Sequence, residues 1–214
     1  MKRGALIVIE GVDRTGKSTQ SKMLVNNLKK HNIPAEYRNF PQRDTEIGKV
    51  INDYLASKND LSDEAIHLLF SANRWERAKN IINTLEAGIT IIIDRYCYSG
   101  AAFSAAKGLD LNWCKAPDMG LPQPDKVFFL TLPFEDIQRR NGFGGERYEV
   151  LEFQKKVHNT YAKLMEENWD VLDANRSIDA IQEELLQKSF DIVTNSSDKP
   201  ISKVWMDKQK YIEN

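Results

Sequence analysis

The hydrophobic pattern changes period several times along the chain. Residues 5–9 (Ala-Leu-Ile-Val-Ile) and 89–93 (Ile-Thr-Ile-Ile-Ile) are short β-branched runs with no polar face, the signature of parallel strands buried on both sides. After the first run the period lengthens to that of a helix over 18–30, and Ile47, Val50, Ile51 and Leu55 form a helical stripe over 45–56. Ser62-Asp-Glu-Ala supplies an N-cap with acidic residues in the first turn, opening a long helix that Gly88 stops near residue 87. The remaining pattern predicts strands over 35–40, 126–132 and 169–173, and helices over 99–106, 111–114, 133–140, 149–168 and 177–193. Polar or Pro/Gly-rich links fall at 58–61, at Pro117, Gly120, Pro122 and Pro124, and at 141–145. The polar tail after Thr194 holds Ile201, Val204 and Trp205 as a docking anchor. Five strands alternating with helices predict an α/β fold in one domain over 1–214: a doubly wound five-stranded parallel sheet with helices on both faces.

Ligands of such sheets bind beyond the carboxyl ends of the strands. Immediately after the first strand comes Gly11-Val-Asp-Arg-Thr-Gly16-Lys17-Ser18, a phosphate-loop spacing between a strand and a helix. Its glycines let successive N–H groups curl toward phosphate oxygens, and the next helix adds the positive end of its dipole. Lys17 would reach the β- and γ-phosphates, and the Ser18 hydroxyl would meet Mg²⁺. This stretch implies a nucleotide site.

Bulk composition narrows the class. The 214 residues suffice for a full core, and a formal net charge of −1 implies no broad basic face for nucleic acid. Two cysteines, Cys97 and Cys114, lack metal or redox spacing and read as free thiols. Lys2 and Arg3 precede the first strand with no room for a signal peptide, and no apolar run reaches bilayer length. The expectation is a soluble, cytoplasmic protein, with nucleus or mitochondrion left open.

Other residues carry chemistry with alternatives attached. Asp94 ends the isoleucine-rich strand and could hold the water shell of Mg²⁺, or simply cap the next helix. Arg95 beside it suits bidentate phosphate contact. His67, Phe70 and Arg74 share a helical stripe on which a ring and a guanidinium could stack a base and bond its edge. Spacing alone favours a core ring and a salt-bridged arginine, while Trp75 reads as core. Arg43, following Pro41, reads equally as a phosphate ligand and as a solvated side chain. Arg139, Arg140 and Arg147 bracket the glycine-rich stretch, as hinges of a lid over about 133–148 or as part of an exposed connector.

With these residues assembled, the chain resembles the thymidylate kinases of the phosphate-loop nucleoside-monophosphate kinase group, over residues 4 to about 186. The resemblance rests on Glu10-Gly-Val-Asp-Arg-Thr-Gly-Lys-Ser-Thr-Gln20, Phe40-Pro-Gln-Arg43, Leu68-Leu-Phe-Ser-Ala-Asn-Arg-Trp-Glu76, Asp94-Arg-Tyr96 with Ser99-Gly100, Gly120-Leu-Pro-Gln-Pro-Asp125 and Glu146-Arg-Tyr-Glu149. It is similar to the eukaryotic branch, whose basic catalytic residue lies in the phosphate loop, here Arg14. Gln42 stands where the family more often has Glu, leaving the partner of Arg43 open.

The resemblance implies ATP-dependent phosphorylation of dTMP to dTDP with Mg²⁺, in a homodimer that binds neither nucleic acid nor membrane. It implies that Arg14 and Lys17 stabilise the transferring group, that Arg95 bridges donor and acceptor, and that Asp13 holds the acceptor's 3′-hydroxyl. For ATP it implies contacts from Arg14, Thr15, Gly16, Lys17, Ser18, Thr19 and Arg95, with Arg140 and Arg176 flanking the adenine. For dTMP it implies Phe40, Arg43, Ser99 and Gly100 in the walls, Phe70 on the thymine, Arg74 at its carbonyl edge and Phe103 against the sugar, with Tyr148 and Gln154 closing that end. Two rivals remain: a kinase for another monophosphate or a deoxynucleoside, and a GTP-binding switch. A deoxynucleoside kinase would show a carboxylate base after the third strand in a Glu-Arg-Ser-type stretch, and a GTP-binding switch an Asn/Thr-Lys-x-Asp stretch; neither occurs.

Overall fold

A computed structural model of the chain describes residues 2–139 and 144–206. Its centre is a parallel sheet of β1 (Leu6–Glu10), β2 (Ala35–Asn39), β3 (Thr90–Asp94), β4 (Lys126–Thr131) and β5 (Trp169–Asp173), in the order β2-β3-β1-β4-β5. Every residue of β1 and β3 is buried, as two-sided aliphatic runs require, whereas the edge strands β2 and β5 are only partly covered. The chain leaves β1 toward β2 and β3 on one side, then crosses to β4 on the other. The crevice at this reversal opens between the carboxyl ends of β1 and β3, where the phosphate loop and Asp94-Arg95 emerge.

The helices are α1 (Lys17–Lys30), α2 (Glu46–Leu55), α3 (Asp63–Glu86), α4 (Cys97–Ala106), α5 (Leu111–Lys115), α6 (Phe134–Arg139), α7 (Leu151–Tyr161) and α8 (Ile178–Ser196). Thr45, Ser62 and Ser177 cap α2, α3 and α8 through their hydroxyls. The largest difference from the sequence pattern is α7, which ends at Tyr161 rather than near residue 168. Tight i→i−3 bonds from Lys163 to Thr160 and from Leu164 to Tyr161 close it. Beyond them Asn168 joins the ladder through its carbonyl, which accepts from Val127 N. Helix α4 starts two residues earlier than the pattern predicts because the buried Glu10 carboxylate accepts from Tyr96 N (2.8 Å) and Ser99 N (3.1 Å), capping its first turn.

A second, smaller core of Ile51, Tyr54, Leu55 and Ile66 joins α2 to α3, with Phe70 and Tyr148 packed against it. Trp75 departs from expectation: it is 43% exposed, its indole N–H donating to Pro117 O at 2.7 Å. Cys97 and Cys114 are buried free thiols, and burial pushes both pKa values up. The tail anchor is present, with Val204 in the main core and Trp205 edge-on to Tyr98. Among the described residues, no helix is long and apolar enough to cross a membrane.

Candidate active site

The phosphate loop takes its shape from three left-handed positions: Gly11 (φ 146°), Arg14 (φ 65°) and Gly16 (φ 94°). A Cβ at Gly11 would stand 2.6 Å from Leu130 O, so glycine is needed there for close approach as well as for conformation. Arg14 and Arg95 are both non-glycine residues held near φ 65°, the kind of local strain that concentrates at functional sites. Thr15 Oγ1 donates to Val12 O at 3.0 Å, and Lys17 Nζ donates to the same carbonyl at 2.7 Å, folding the lysine back into the loop. Burial, and next the charge of Arg95, lower the Lys17 pKa to about 8, against the opposing pull of Asp13, Asp94 and Glu10. Ser18 Oγ donates to Asp94 Oδ2 in a short bond, and Tyr37 OH reaches the same oxygen at 3.3 Å. Asp94 Oδ1 is buried without a hydrogen-bond partner.

Beside the loop lies a cavity whose walls include Asp13, Phe40, Arg43, Phe70, Arg74, Arg95, Ser99, Gly100, Phe103 and Tyr148. Ten of the eleven acceptor-site residues named from the sequence therefore meet around one space. The eleventh, Gln154, acts on it indirectly. Its Nε2 donates to Asp13 Oδ2 (2.6 Å) and Tyr148 O (2.8 Å), while its Oε1 accepts from Asp13 N (2.8 Å). Arg95 Nη2 donates to the other Asp13 oxygen, and Arg95 also approaches Gly11 O and Ser99 Oγ at 3.3 Å. Asp13 is thus fixed between a helix amide and an arginine at the mouth of the sheet. The Arg95 guanidinium lies over the Phe103 ring, 5.3 Å from its centroid.

Two of the arginines expected at phosphates are paired with carboxylates of one short segment. Arg43 binds Asn52 Oδ1 and Glu146 Oε1, each at 2.8 Å, which answers the question left by Gln42; Gln42 itself is pinned through its backbone by Asn73. Arg14 meets Glu149 Oε1 through Nε and Nη2, each at 2.8 Å. The other Glu149 oxygen accepts from the N–H groups of Gly144, Gly145 and Glu146 at 2.9, 2.8 and 3.3 Å.

Arg147 does not serve as a hinge facing phosphates. It donates to Tyr54 O, Asn59 O and Asp60 Oδ1 at 2.7–2.9 Å, and its guanidinium covers the Tyr54 ring, tying the segment to the α2–α3 link. Arg176 follows β5, with Nη2 on Glu184 Oε2 at 2.7 Å and Nε on Asp173 O at 3.0 Å. Thr19 lies exposed in the first turn of α1, whereas Gln20 is buried and donates to Ile178 O, joining that turn to α8. Arg139 is exposed, 3.5 Å from Asp136, and Arg140 lies outside the described residues.

Several organising groups were not singled out by sequence pattern. Glu10 accepts from Ser99 Oγ (2.6 Å) and Tyr161 OH (2.8 Å) besides capping α4; its one signal is a charge closing an aliphatic strand. Asp118 pairs with Arg74, and Ser104 Oγ meets His67 Nδ1 at 2.8 Å; no local spacing announces either pair.

With that geometry in place, comparison with known proteins decides the family. The thymidylate kinase family model matches residues 9–185. The chain belongs to the thymidylate kinase family. The thymidylate kinase of Homo sapiens is 47% identical over 208 residues, spanning 95% of this chain and 98% of its own length. That of Dictyostelium discoideum is 49% identical over 187 residues, covering 86% of this chain and 84% of its own length. The solved thymidylate kinase of Candida albicans superposes with a TM-score of 0.85 at 39% identity, covering 95% of this chain and 99% of its own. Membership makes the chain a nucleotide-binding phosphotransferase, a dTMP kinase.

Proposed function

We propose that the cavity holds dTMP and the phosphate loop holds ATP, so that the γ-phosphoryl group passes in line to a dTMP phosphate oxygen, giving dTDP and ADP. The observation that carries this is the meeting of loop, Asp94-Arg95 and cavity at the carboxyl ends of β1 and β3, with Asp13 clamped between them. The acceptor phosphate is already anionic at neutral pH, so catalysis rests on positioning and on charge placed where it develops. Lys17, Arg14 and Arg95 supply that charge. Asp13 receives the 3′-hydroxyl, its orientation set by Gln154 and Arg95. Phe70 stacks the thymine, Arg74 bonds a carbonyl edge, Phe103 and Tyr148 border the sugar, and Arg43 takes the acceptor phosphate once released from Glu146. Arg176 and Arg140 flank the adenine.

Mg²⁺ fits the donors present: a hydroxyl at Ser18 and a buried, unpartnered oxygen on Asp94, both hard ligands. Ser18 would hold the ion and Asp94 its waters; bound there, it neutralises phosphate charge. No group of three or more His, Cys, Asp or Glu residues suited to a metal occurs among the described residues. The segment around 133–148 serves as a lid. A second copy of the chain completes the molecule as a homodimer, and Leu68 and Trp75, exposed two turns apart on α3, offer it an apolar face.

Measuring ADP release with ATP across dTMP, dUMP, dCMP and dGMP tests the substrate assignment. The highest kcat/KM is expected for dTMP. Turnover of dCMP equal to that of dTMP would remove the assignment.

A further inference from the structure

Arg74 is 2% exposed and Asp118 is completely buried. The two form a side-on pair: Arg74 Nε donates to Asp118 Oδ1 at 3.0 Å and Nη2 donates to Oδ2 at 2.6 Å. Asp118 ends a short 3-10 turn, Ala116–Asp118, that α3 holds in place from the same face. Ser71 Oγ lies 2.8 Å from Asp118 Oδ1 and 3.0 Å from Pro117 O, and Trp75 Nε1 donates to Pro117 O. On its other side the guanidinium lies against the backbone of α4. A Cβ on Gly100 would stand 2.6 Å from Nη2 and 3.1 Å from Nη1. The planar group is therefore clamped, and Nη1 is the one nitrogen not committed to Asp118. Burial works against the Arg74 charge, but the charge and hydrogen bonds of Asp118 more than restore it, so its pKa lies above the ordinary value.

We infer that Asp118 is a positioning residue for base selection: by fixing the plane of Arg74 it aims Nη1 as a directed donor nitrogen, which donates to a pyrimidine carbonyl and offers no acceptor to an amino group. The inference rests on the reading of Arg74 as the residue at the base edge. A free guanidinium could tilt or withdraw to accommodate either group. One locked by a two-point carboxylate contact cannot, so a base without an acceptor there leaves a buried donor unpaired. The pocket then discriminates between 4-oxo and 4-amino pyrimidine monophosphates through a residue that need not touch the base.

The test is a cycle of Asp118→Asn, Arg74→Met and the double variant, reading kcat and KM for dTMP and dCMP together with thermal melts. Asp118→Asn preserves shape while removing the charge and one acceptor. It is expected to raise KM for dTMP more than it lowers kcat, and to reduce the dTMP:dCMP ratio of kcat/KM by roughly tenfold or more, a part of what a built polar site can discriminate. In the Arg74→Met background the same change should move that ratio by less than about twofold, because the group it positions is gone. Gly100→Ala presses on the guanidinium from the opposite side without touching Asp118. It should lower the same ratio, and it decides the matter if Asp118→Asn does not fold. An unchanged ratio in folded Asp118→Asn, or in Gly100→Ala where that variant decides, overturns the inference. So does an equal effect of Asp118→Asn with and without Arg74. If Arg74→Met itself leaves the ratio unchanged, the base-edge reading of Arg74 falls as well; if Arg74→Met erodes it and Asp118→Asn does not, only the role of Asp118 falls.

Discussion

Lys17 shows how far a single residue's chemistry depends on what it faces. Buried, and beside Arg95, it has a pKa of about 8, although Asp13, Asp94 and Glu10 pull the other way. Its positive charge is therefore nearly complete by about pH 7, half lost near pH 8 and mostly gone a unit above. Phosphate oxygens bound in the loop add negative charge next to Nζ and favour the protonated form. ATP binding at pH 8.5 should accordingly draw a substantial fraction of a proton onto the protein, and binding at pH 6.5 should draw almost none through this group. Titration calorimetry in two buffers of different ionisation enthalpy measures the uptake. Lys17→Met should abolish it, and equal uptake by that variant would assign the proton elsewhere. The sequence reveals Lys17 because the chemistry follows from its place between two glycines and a helix. Arg74 shows the opposite case: its stripe on α3 is visible, but the Asp118 that fixes its plane lies 44 residues away, beyond any local pattern.

Among the elements, strands and helix starts were the most legible. Runs of isoleucine can be buried on both faces only in a central strand, and Ser62 or Ser177 with acidic followers leave little choice of cap. Where an element ends was less legible, because the end depends on what the next element must reach; α7 stops at Tyr161 so that Asn168 can meet Val127. In sequence, Arg139, Arg140 and Arg147 read as basic hinges around the glycine-rich stretch 141–145, yet the group that organises residues 144–149 is acidic. One Glu149 oxygen gathers the N–H groups of Gly144, Gly145 and Glu146, and the other holds Arg14, joining this segment to the phosphate loop. Hydrogen bonds to a charged group contribute about 1.5–3 kcal/mol each, so Glu149→Gln should release the segment. Hydrogen exchange at amides 144–146 should accelerate by roughly tenfold or more, since each 1.4 kcal/mol is a factor of ten. Exchange at parental rates would show that the carboxylate does not hold these amides. Arg14→Gly should leave those amides more protected than Glu149→Gln does, while reducing kcat far more than it weakens dTMP binding, the pattern of a contact made mainly in the transition state.

Across the whole molecule, Arg3, the segment 199–204 and the link around 120–125 close on one another. Arg3 binds Asp125 through two nitrogens, Nη1 at 2.8 Å and Nη2 at 2.6 Å, and donates from Nε to Lys199 O. Val204 N donates to Leu121 O at 2.8 Å, Gly120 N to Val204 O at 3.1 Å and Gln123 N to Ser202 O at 2.8 Å, so residues 202–204 run antiparallel beside 120–123. The anchor residues of the tail could be seen in sequence as isolated apolar side chains in a polar stretch; their seat could not, because it is built from the Pro/Gly-rich link that the pattern leaves irregular. Val204 is 1% exposed and belongs to the same core as the strands. Replacing it with Ala removes two buried methyl groups, at ~0.8 kcal/mol each for transfer plus a cavity contribution, or about 2 kcal/mol in all. For a chain of this size each kcal/mol lowers Tm by roughly 2–4 °C, so Val204→Ala should melt about 4–8 °C below the parent. The link it braces also carries Asp118, so any loss should extend to the base pocket before it reaches the phosphate loop. Near the variant's melting point, protection of the amides of 118–123 should fail ahead of that of 11–18. A melt within 1 °C of the parent, or simultaneous loss at both segments, would mean that the tail covers the fold without bracing it.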